Sequence, residues 1–255
     1  MYSLQILSKL FSESLLSLYP VFVKFINISF ELQLWSRFFT YLFISSFFTN
    51  YNYIFKNLFS KTAILLSLLT ILHVYSSYRG YQILDSGIAY VIFYTYPLFI
   101  LLFSGEKISI KLILYAIFVL FGVYLIGNGN KKKEKDDENN ETYDNQKISY
   151  FQKKDIKENF WNEGIIMTFT SAITEALIYF LVKDLKTDNT WNQIFISYFF
   201  GTIILTPLLF NEIKKIQINS TLSLSLVINA FIGLFGYLLR FYAINNLNTR
   251  LYAIL

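Results

Sequence analysis

Along this 255-residue chain, apolar runs of about 20 residues, the length a helix needs to cross about 30 Å of hydrocarbon, recur between short polar breaks. They lie near 4–26, 31–49, 62–84, 86–104, 109–127, 163–183, 191–210 and 221–244, and Arg250 to Leu255 reads as the start of a ninth. Membrane strands are about 10 residues long and alternate strictly, whereas a run such as Leu112 to Ile126 is apolar on every side. Helices are the remaining choice. Composition agrees, since 55% hydrophobic residues, 15% charged residues and a mean hydropathy of +0.44 leave too little polar surface to wrap a soluble domain of this size. The chain is expected to be an all-α polytopic membrane protein, integral and multi-pass, with about eight complete spans. Trp35, Tyr51, Tyr53, Trp161 and Trp191 fall near predicted span ends, where amphipathic rings favour the headgroup layer. The first run has no basic stretch ahead of it and no small-residue cleavage site, so it is expected to be retained as a helix.

One segment breaks the pattern. Between Asn128 and Phe160 eight lysines face eight carboxylates, with few apolar residues. Opposite charges this intermixed have almost no net field, and the segment reads as a solvated linker. The flanking parts repeat one another. Ser12-Glu13-Ser14-Leu15 matches Thr174-Glu175-Ala176-Leu177, and Gln33-Leu34-Trp35 parallels Gln193-Ile194-Phe195. Arg79-x-Tyr81-x-Ile83 parallels Arg240-x-Tyr242-x-Ile244, and Tyr90-x-Ile92 pairs with Tyr252-x-Ile254. These matches keep their order at a nearly constant offset of about 161 residues, which suggests two copies of a five-helix unit. An odd number of spans per copy inverts the second copy in the membrane, giving a 5+5 inverted-repeat bundle of the kind transporters use. The expected division is residues 1–127 for the first repeat, 128–160 for the linker and 161–255 for the second repeat.

The stretch Tyr81-Gln82-Ile83-Leu84-Asp85-Ser86-Gly87-Ile88-Ala89-Tyr90 is followed in order by Pro97-Leu98-Phe99, Gly105-Glu106-Lys107-Ile108-Ser109 and Gly122-Val123-Tyr124-Leu125. This series resembles the third-to-fifth-helix pattern of the drug/metabolite transporter superfamily, specifically its EamA-like members. The resemblance covers nearly the whole chain through loose motifs. It implies ten helices, both termini cytoplasmic, and export or exchange of metabolites. A full second repeat would run roughly 35 residues beyond Leu255, so the expectation is a second copy cut short, as in a fragment of a longer reading frame. With the N-terminus inside, the short inner turns carry Lys56, Lys61, Lys107, Lys111, Lys183, Lys186 and Arg250, and the short outer turns only Lys214 and Lys215. That asymmetry follows the positive-inside rule; counting the linker lysines reverses it.

Charges within spans are costly, and each one points to a cavity or a partner. Glu13, Ser17, Pro20 and Lys24 share one helical face, a polar stripe expected to line the substrate or proton pathway. Pro20 also frees the carbonyl of Leu16 to meet a substrate or a water. Glu175 holds the equivalent place in the sixth span, near Thr170, Ser171 and Thr174. A carboxyl in such a site can take up and release a proton as access alternates; packing through neighbouring hydroxyls is the simpler account. Thr70, His73, Ser77 and Tyr81 share a face of the third span, and Asn229, Gly233, Gly236 and Arg240 a face of the eighth. Arg37, Arg79 and Arg240 lie near predicted span ends, where snorkelling and anion binding account for them equally. Tyr90, Tyr94 and Pro97 line one side of the fourth span, as packing or as a cavity wall. The pathway set is therefore Glu13, Ser17, Lys24, His73, Ser77, Tyr81, Tyr94, Glu175 and Arg240.

Function follows from these features as an expectation: a secondary transporter moving a small metabolite by alternating access, with proton coupling. A nucleotide-sugar-type transporter of the same superfamily and a non-transporting scaffold or inactive fragment are the alternatives. An enzyme is not expected. With no cysteine and a single histidine, thiolate chemistry is excluded and no metal-ligand, paired-carboxylate or nucleophile-elbow pattern occurs. No cofactor and no metal are expected. The expected partners are the lipid bilayer, a small-molecule substrate and a second copy in a homodimer, with no nucleic acid.

Overall fold

The computed structural model describes residues 3–25, 29–105, 150–209 and 220–255, with isolated positions at 114, 117–118, 121–122 and 125. Its first half contains α1 (Ser3–Ser17), α2 (Tyr19–Phe25), α3 (Phe30–Ser46), α4 (Tyr51–Asn57), α5 (Lys61–Ile83), α6 (Ser86–Phe93) and α7 (Tyr96–Phe103). The second contains α8 (Tyr150–Asp184), α9 (Thr190–Leu205) with a 3₁₀ turn at Thr206–Leu209, α10 (Ser220–Asn246) and α11 (Thr249–Ile254). There is no strand among the described residues. Short polar residues start these helices by accepting from orphan backbone amides: Asn50 from Asn52 and Tyr53, Ser60 from Ala63, Asp85 from Gly87, Asn189 from Trp191, and Asn248 from Leu251.

Among the described residues three stretches are long and apolar enough to cross a bilayer, namely Ser3–Lys24, Ser86–Phe103 and Asn162–Asp184; α4 and α5 make a fourth if taken together across their 94° bend. The chain is an integral membrane protein. Two of these stretches are interrupted near a proline, between α1 and α2 by Pro20 and between α6 and α7 by Pro97. A proline ring offers no N–H and crowds the carbonyl four residues back, which breaks the helix at that point. The runs read at 31–49, 191–210 and 221–244 fall on α3, α9 and α10, of 17, 16 and 27 residues. The run at 109–127 lies outside the described residues apart from the isolated positions. α8 begins at Tyr150, inside the segment read as linker, where lysines and glutamate are good helix formers; positions 128–149 lie outside the described residues.

The solvent preference of the bundle is reversed relative to a soluble protein. Phe11, Phe39, Phe43, Phe55, Phe59, Phe231 and Phe235 face outward, while Lys9, Glu13, Gln33, Arg37, His73, Glu175, Gln193 and Arg240 are buried. Lipid tolerates the exposed rings, and the protein interior supplies the partners that hydrocarbon cannot.

Three cross-chain helix pairs build the interior: α1 packs on α10, α5 on α8 and α3 on α9. Glycines allow the first two approaches. A Cβ on Gly236 would stand 2.8 Å from the Leu16 side chain of α1; on the same helix, one on Gly233 would stand 1.9 Å from the Tyr41 hydroxyl of α3. At the α5–α8 crossing a Cβ on Gly80 would stand 2.2 Å from Thr168 Oγ1. A matched amide clasp recurs in both halves. Gln33 Nε2 donates to Val23 O at 2.9 Å and its Oε1 accepts from Gln82 at 3.2 Å. Gln193 Nε2 donates to Val182 O at 3.0 Å and exchanges hydrogen bonds with Asn245 at 2.9 and 3.0 Å. In each half, then, a glutamine near the start of one helix ties down the end of the preceding helix and the end of a later one, α5 in the first half and α10 in the second.

Candidate functional site

α1 turns Ser8, Lys9, Ser12, Glu13 and Leu16 inward, the three-and-four spacing of a single helical face. Ser12 Oγ donates to Gly236 O at 2.8 Å, which registers α1 against α10. Immediately beside that contact, Arg240 joins both halves. Its Nη2 lies 2.7 Å from Glu13 Oε2, and its Nη1 lies 2.7 Å from Glu175 Oε1. On the other edge of Glu13, Oε1 accepts from Lys9 Nζ and from the Tyr96 hydroxyl, the latter at 2.8 Å. Lys9 Nζ also donates to Tyr96 and sits 4.1 Å from the centroid of the Tyr252 ring. Two cations thus meet two carboxylates in a neutral, buried cluster drawn from α1, α7, α8, α10 and α11. Removing one member of such a network leaves an uncompensated charge, at a cost of about 3–5 kcal/mol.

His73 extends the cluster. Its Nδ1 lies 3.0 Å from Ser171 O, an acceptor, so this nitrogen carries a proton in the neutral ring. Its Nε2 lies 2.9 Å from the Tyr237 hydroxyl and 3.3 Å from Glu175 Oε2. A proton added at Nε2 would turn the contact with Glu175 into a charge-assisted bond. Tyr237 O–H can itself donate to Glu175 Oε2, 3.4 Å away. Protons can therefore be rearranged among Glu175, His73 and Tyr237 without moving a helix.

A second buried centre adjoins the first. The Arg37 guanidinium donates from Nε and Nη2 to the Tyr198 hydroxyl, at 3.3 and 2.9 Å. Around it stand the rings of Tyr19, Tyr41, Tyr78, Tyr198 and Tyr237, with centroids 5.0, 5.3, 5.5, 5.8 and 5.0 Å from Cζ. Each desolvated cation–π contact contributes about 0.5–2 kcal/mol. No carboxylate pairs with Arg37 among the described residues. Tyr237 links the two centres, since the Arg240 guanidinium also lies 5.5 Å from its ring.

Glu13, His73, Glu175 and Arg240 are brought together. Ser77 and Tyr81 are buried on the same face of α5, with Ser77 Oγ donating to Val74 O at 3.1 Å. Tyr94 is half-buried, its ring edge-on to Tyr96 at 5.8 Å. Ser17 donates to Ser14 O of its own helix at 2.8 Å, and Lys24 is exposed. Neither reaches the cluster: Ser17 bonds back within α1, and the break after Ser17 takes Lys24 of α2 out of the register of α1. Arg37 and Arg240 are buried and do not snorkel, whereas Arg79 is about a third exposed and pairs with Glu163 at 2.7 Å. The side chain of Asn229 lies outside the described residues. Lys9, Tyr96 and Tyr237 are additional members. Extending the Glu13 stripe back by one turn reaches Lys9, and Tyr237 lies one turn before Arg240; nothing local marks Tyr96.

Among the described residues no group of three or more histidine and acidic side chains is placed to hold a metal ion. Compared with known proteins, residues 162–255 match the model of the EamA-like transporter family. No curated protein and no solved structure matches the chain.

Proposed function

We propose, from the match of residues 162–255 to the EamA-like transporter family, a secondary transporter of the drug/metabolite superfamily that moves a small metabolite by alternating access. The observation that carries this reading is the Arg240 fork, which holds Glu13 of α1 and Glu175 of α8 at once. Glu13 and Glu175 are the matched positions of the two sequence repeats, and one guanidinium ties them across the bundle. The crossed pairs α1 with α10 and α5 with α8, together with the two glutamine clasps, support two inverted copies around this point.

Alternating access then has a physical handle. With both carboxylates charged, Arg240 bridges the halves and the bundle stays closed. Protonating either carboxylate removes one arm of the bridge and lowers the cost of separating α1 from α8. Return of the proton to the opposite side restores the bridge, so a proton gradient gives the cycle a direction. His73 and Tyr237 hold the proton next to Glu175 while this occurs.

The test is uptake into proteoliposomes of stated internal pH, with a panel of labelled small metabolites. Glu13→Gln is measured beside the double variant Lys9→Met/Glu13→Gln, which keeps the cluster neutral. The expected result is loss of pH-gradient-driven uptake in both variants, with insertion intact in the double variant. Gradient-driven uptake that survives in the double variant would refute proton coupling at Glu13.

A further inference from the structure

The described core contains five buried residues that carry full charge, Lys9, Glu13, Arg37, Glu175 and Arg240. Lys9 and Arg240 are balanced by the two glutamates, which leaves Arg37 as a positive charge without a counter-ion among the described residues. Its surroundings show a second deficit: the Tyr41 hydroxyl, in the ring cage around Arg37, is buried with no hydrogen-bond partner. A guanidinium lacking an anion and a hydroxyl lacking an acceptor, side by side, need the same thing.

A purely structural role would predict a matching arrangement in the other half. It is not there. Gln33 and Gln193 make the same clasp, yet the residue one turn further along is Arg37 in α3 and Ser197 in α9. Ser197 Oγ donates to the carbonyl of Gln193 at 2.7 Å, where α3 carries a guanidinium. The charge is an addition to the repeated scaffold. The cage walls come from α2, α3, α5, α9 and α10, so an ion seated there touches both halves, as a transported substrate must.

We propose that Arg37, with the hydroxyls of Tyr41 and Tyr198, binds the anionic group of the substrate, making the cargo a small organic anion that carries a carboxylate or a phosphate. The tyrosine rings supply an apolar wall for the remainder of the molecule. With the anion absent, the same rings hold the guanidinium by their π faces, and the cage is closed. This assignment rests on the transport reading for the identity of the ligand as cargo, but binding itself requires no transport.

Binding is read as thermal unfolding of the full chain in detergent, with benzoate, inorganic phosphate and tetramethylammonium as probes at matched ionic strength. Benzoate or phosphate is expected to raise Tm saturably, by roughly 5–10 °C at about 100 times Kd. Arg37→Gln is expected to weaken that affinity at least tenfold. Tyr41→Phe, which keeps the ring, is expected to weaken it several-fold with the ligand-free Tm preserved; it decides the matter alone if Arg37→Gln does not fold. The proposal is overturned if neither anion shifts Tm, if both variants bind as the native chain does, or if tetramethylammonium gives the larger shift, which would make the cage a cation site. A chain that binds anions through Arg37 but transports nothing keeps the site and removes the transport reading. A chain that transports with unchanged kinetics in Tyr41→Phe and Arg37→Gln does the reverse.

Discussion

Arg240 Nη2 stands 2.7 Å from Glu13 Oε2 across 227 positions of sequence, with both groups buried. The same guanidinium reaches Glu175 through Nη1 at 2.7 Å, so its removal should be felt in both halves together. Arg240→Met, similar in volume and without charge, leaves Lys9 facing two carboxylates. A loss of about 3–5 kcal/mol in unfolding free energy is expected. Denaturation in detergent micelles measures it, and a loss below about 1 kcal/mol would show that the fork contributes little.

Charge balance, more than any single pair, is expected to govern the cluster. Glu13→Gln alone leaves Lys9 and Arg240 against one carboxylate, whereas Lys9→Met/Glu13→Gln restores one against one. The double variant should therefore be more stable than Glu13→Gln by at least about 1 kcal/mol, a non-additivity that a double-mutant cycle isolates. Additive effects would mean that Lys9 and Glu13 act independently despite their direct contact.

His73 offers a proton position between Tyr237 and Glu175. His73→Gln removes a site that gains charge, while its amide still reaches hydrogen-bond partners. In proteoliposomes the expected outcome is a flattened dependence of uptake on internal pH, with the fold intact by circular dichroism. An unchanged pH profile would limit His73 to packing.

At Gly233 a methyl group would meet the Tyr41 hydroxyl at 1.9 Å and the Tyr19 ring at 2.6 Å. Gly233→Ala should force these rings apart and destabilise the bundle by about 1–3 kcal/mol. Because both rings belong to the cage around Arg37, anion affinity should fall as well. Native-like Tm and affinity together would show that α3 and α10 can part at no cost.

The glutamine clasps predict matched losses. Gln33→Leu and Gln193→Leu each remove a buried amide that holds the carbonyl at the end of a preceding helix. Each should cost about 1–3 kcal/mol, the penalty for orphaning a buried acceptor. A large loss at one position and none at the other would argue that the two clasps are not equivalent.

Membrane residence and helical class could be read from local features, because a run of about 20 apolar residues can satisfy its backbone within lipid only as a helix. The pairing of Glu13 with Glu175 could also be read, from matched tetrapeptides in the two repeats. What lies around those carboxylates was not written locally. Lys24 shares a helical stripe with Glu13 on paper, yet the break between α1 and α2 leaves it exposed, and Lys9 takes the inward place. Arg37 and Arg79 look alike in sequence, both near span ends; tertiary packing closes five tyrosines over one and leaves the other at the surface beside Glu163. The sequence by itself determined helices and solvent, because those depend on short-range hydrophobic pattern. Which charges meet was decided only by the tertiary structure, because ion pairing depends on a few ångströms of separation between segments as far apart as Glu13 and Arg240.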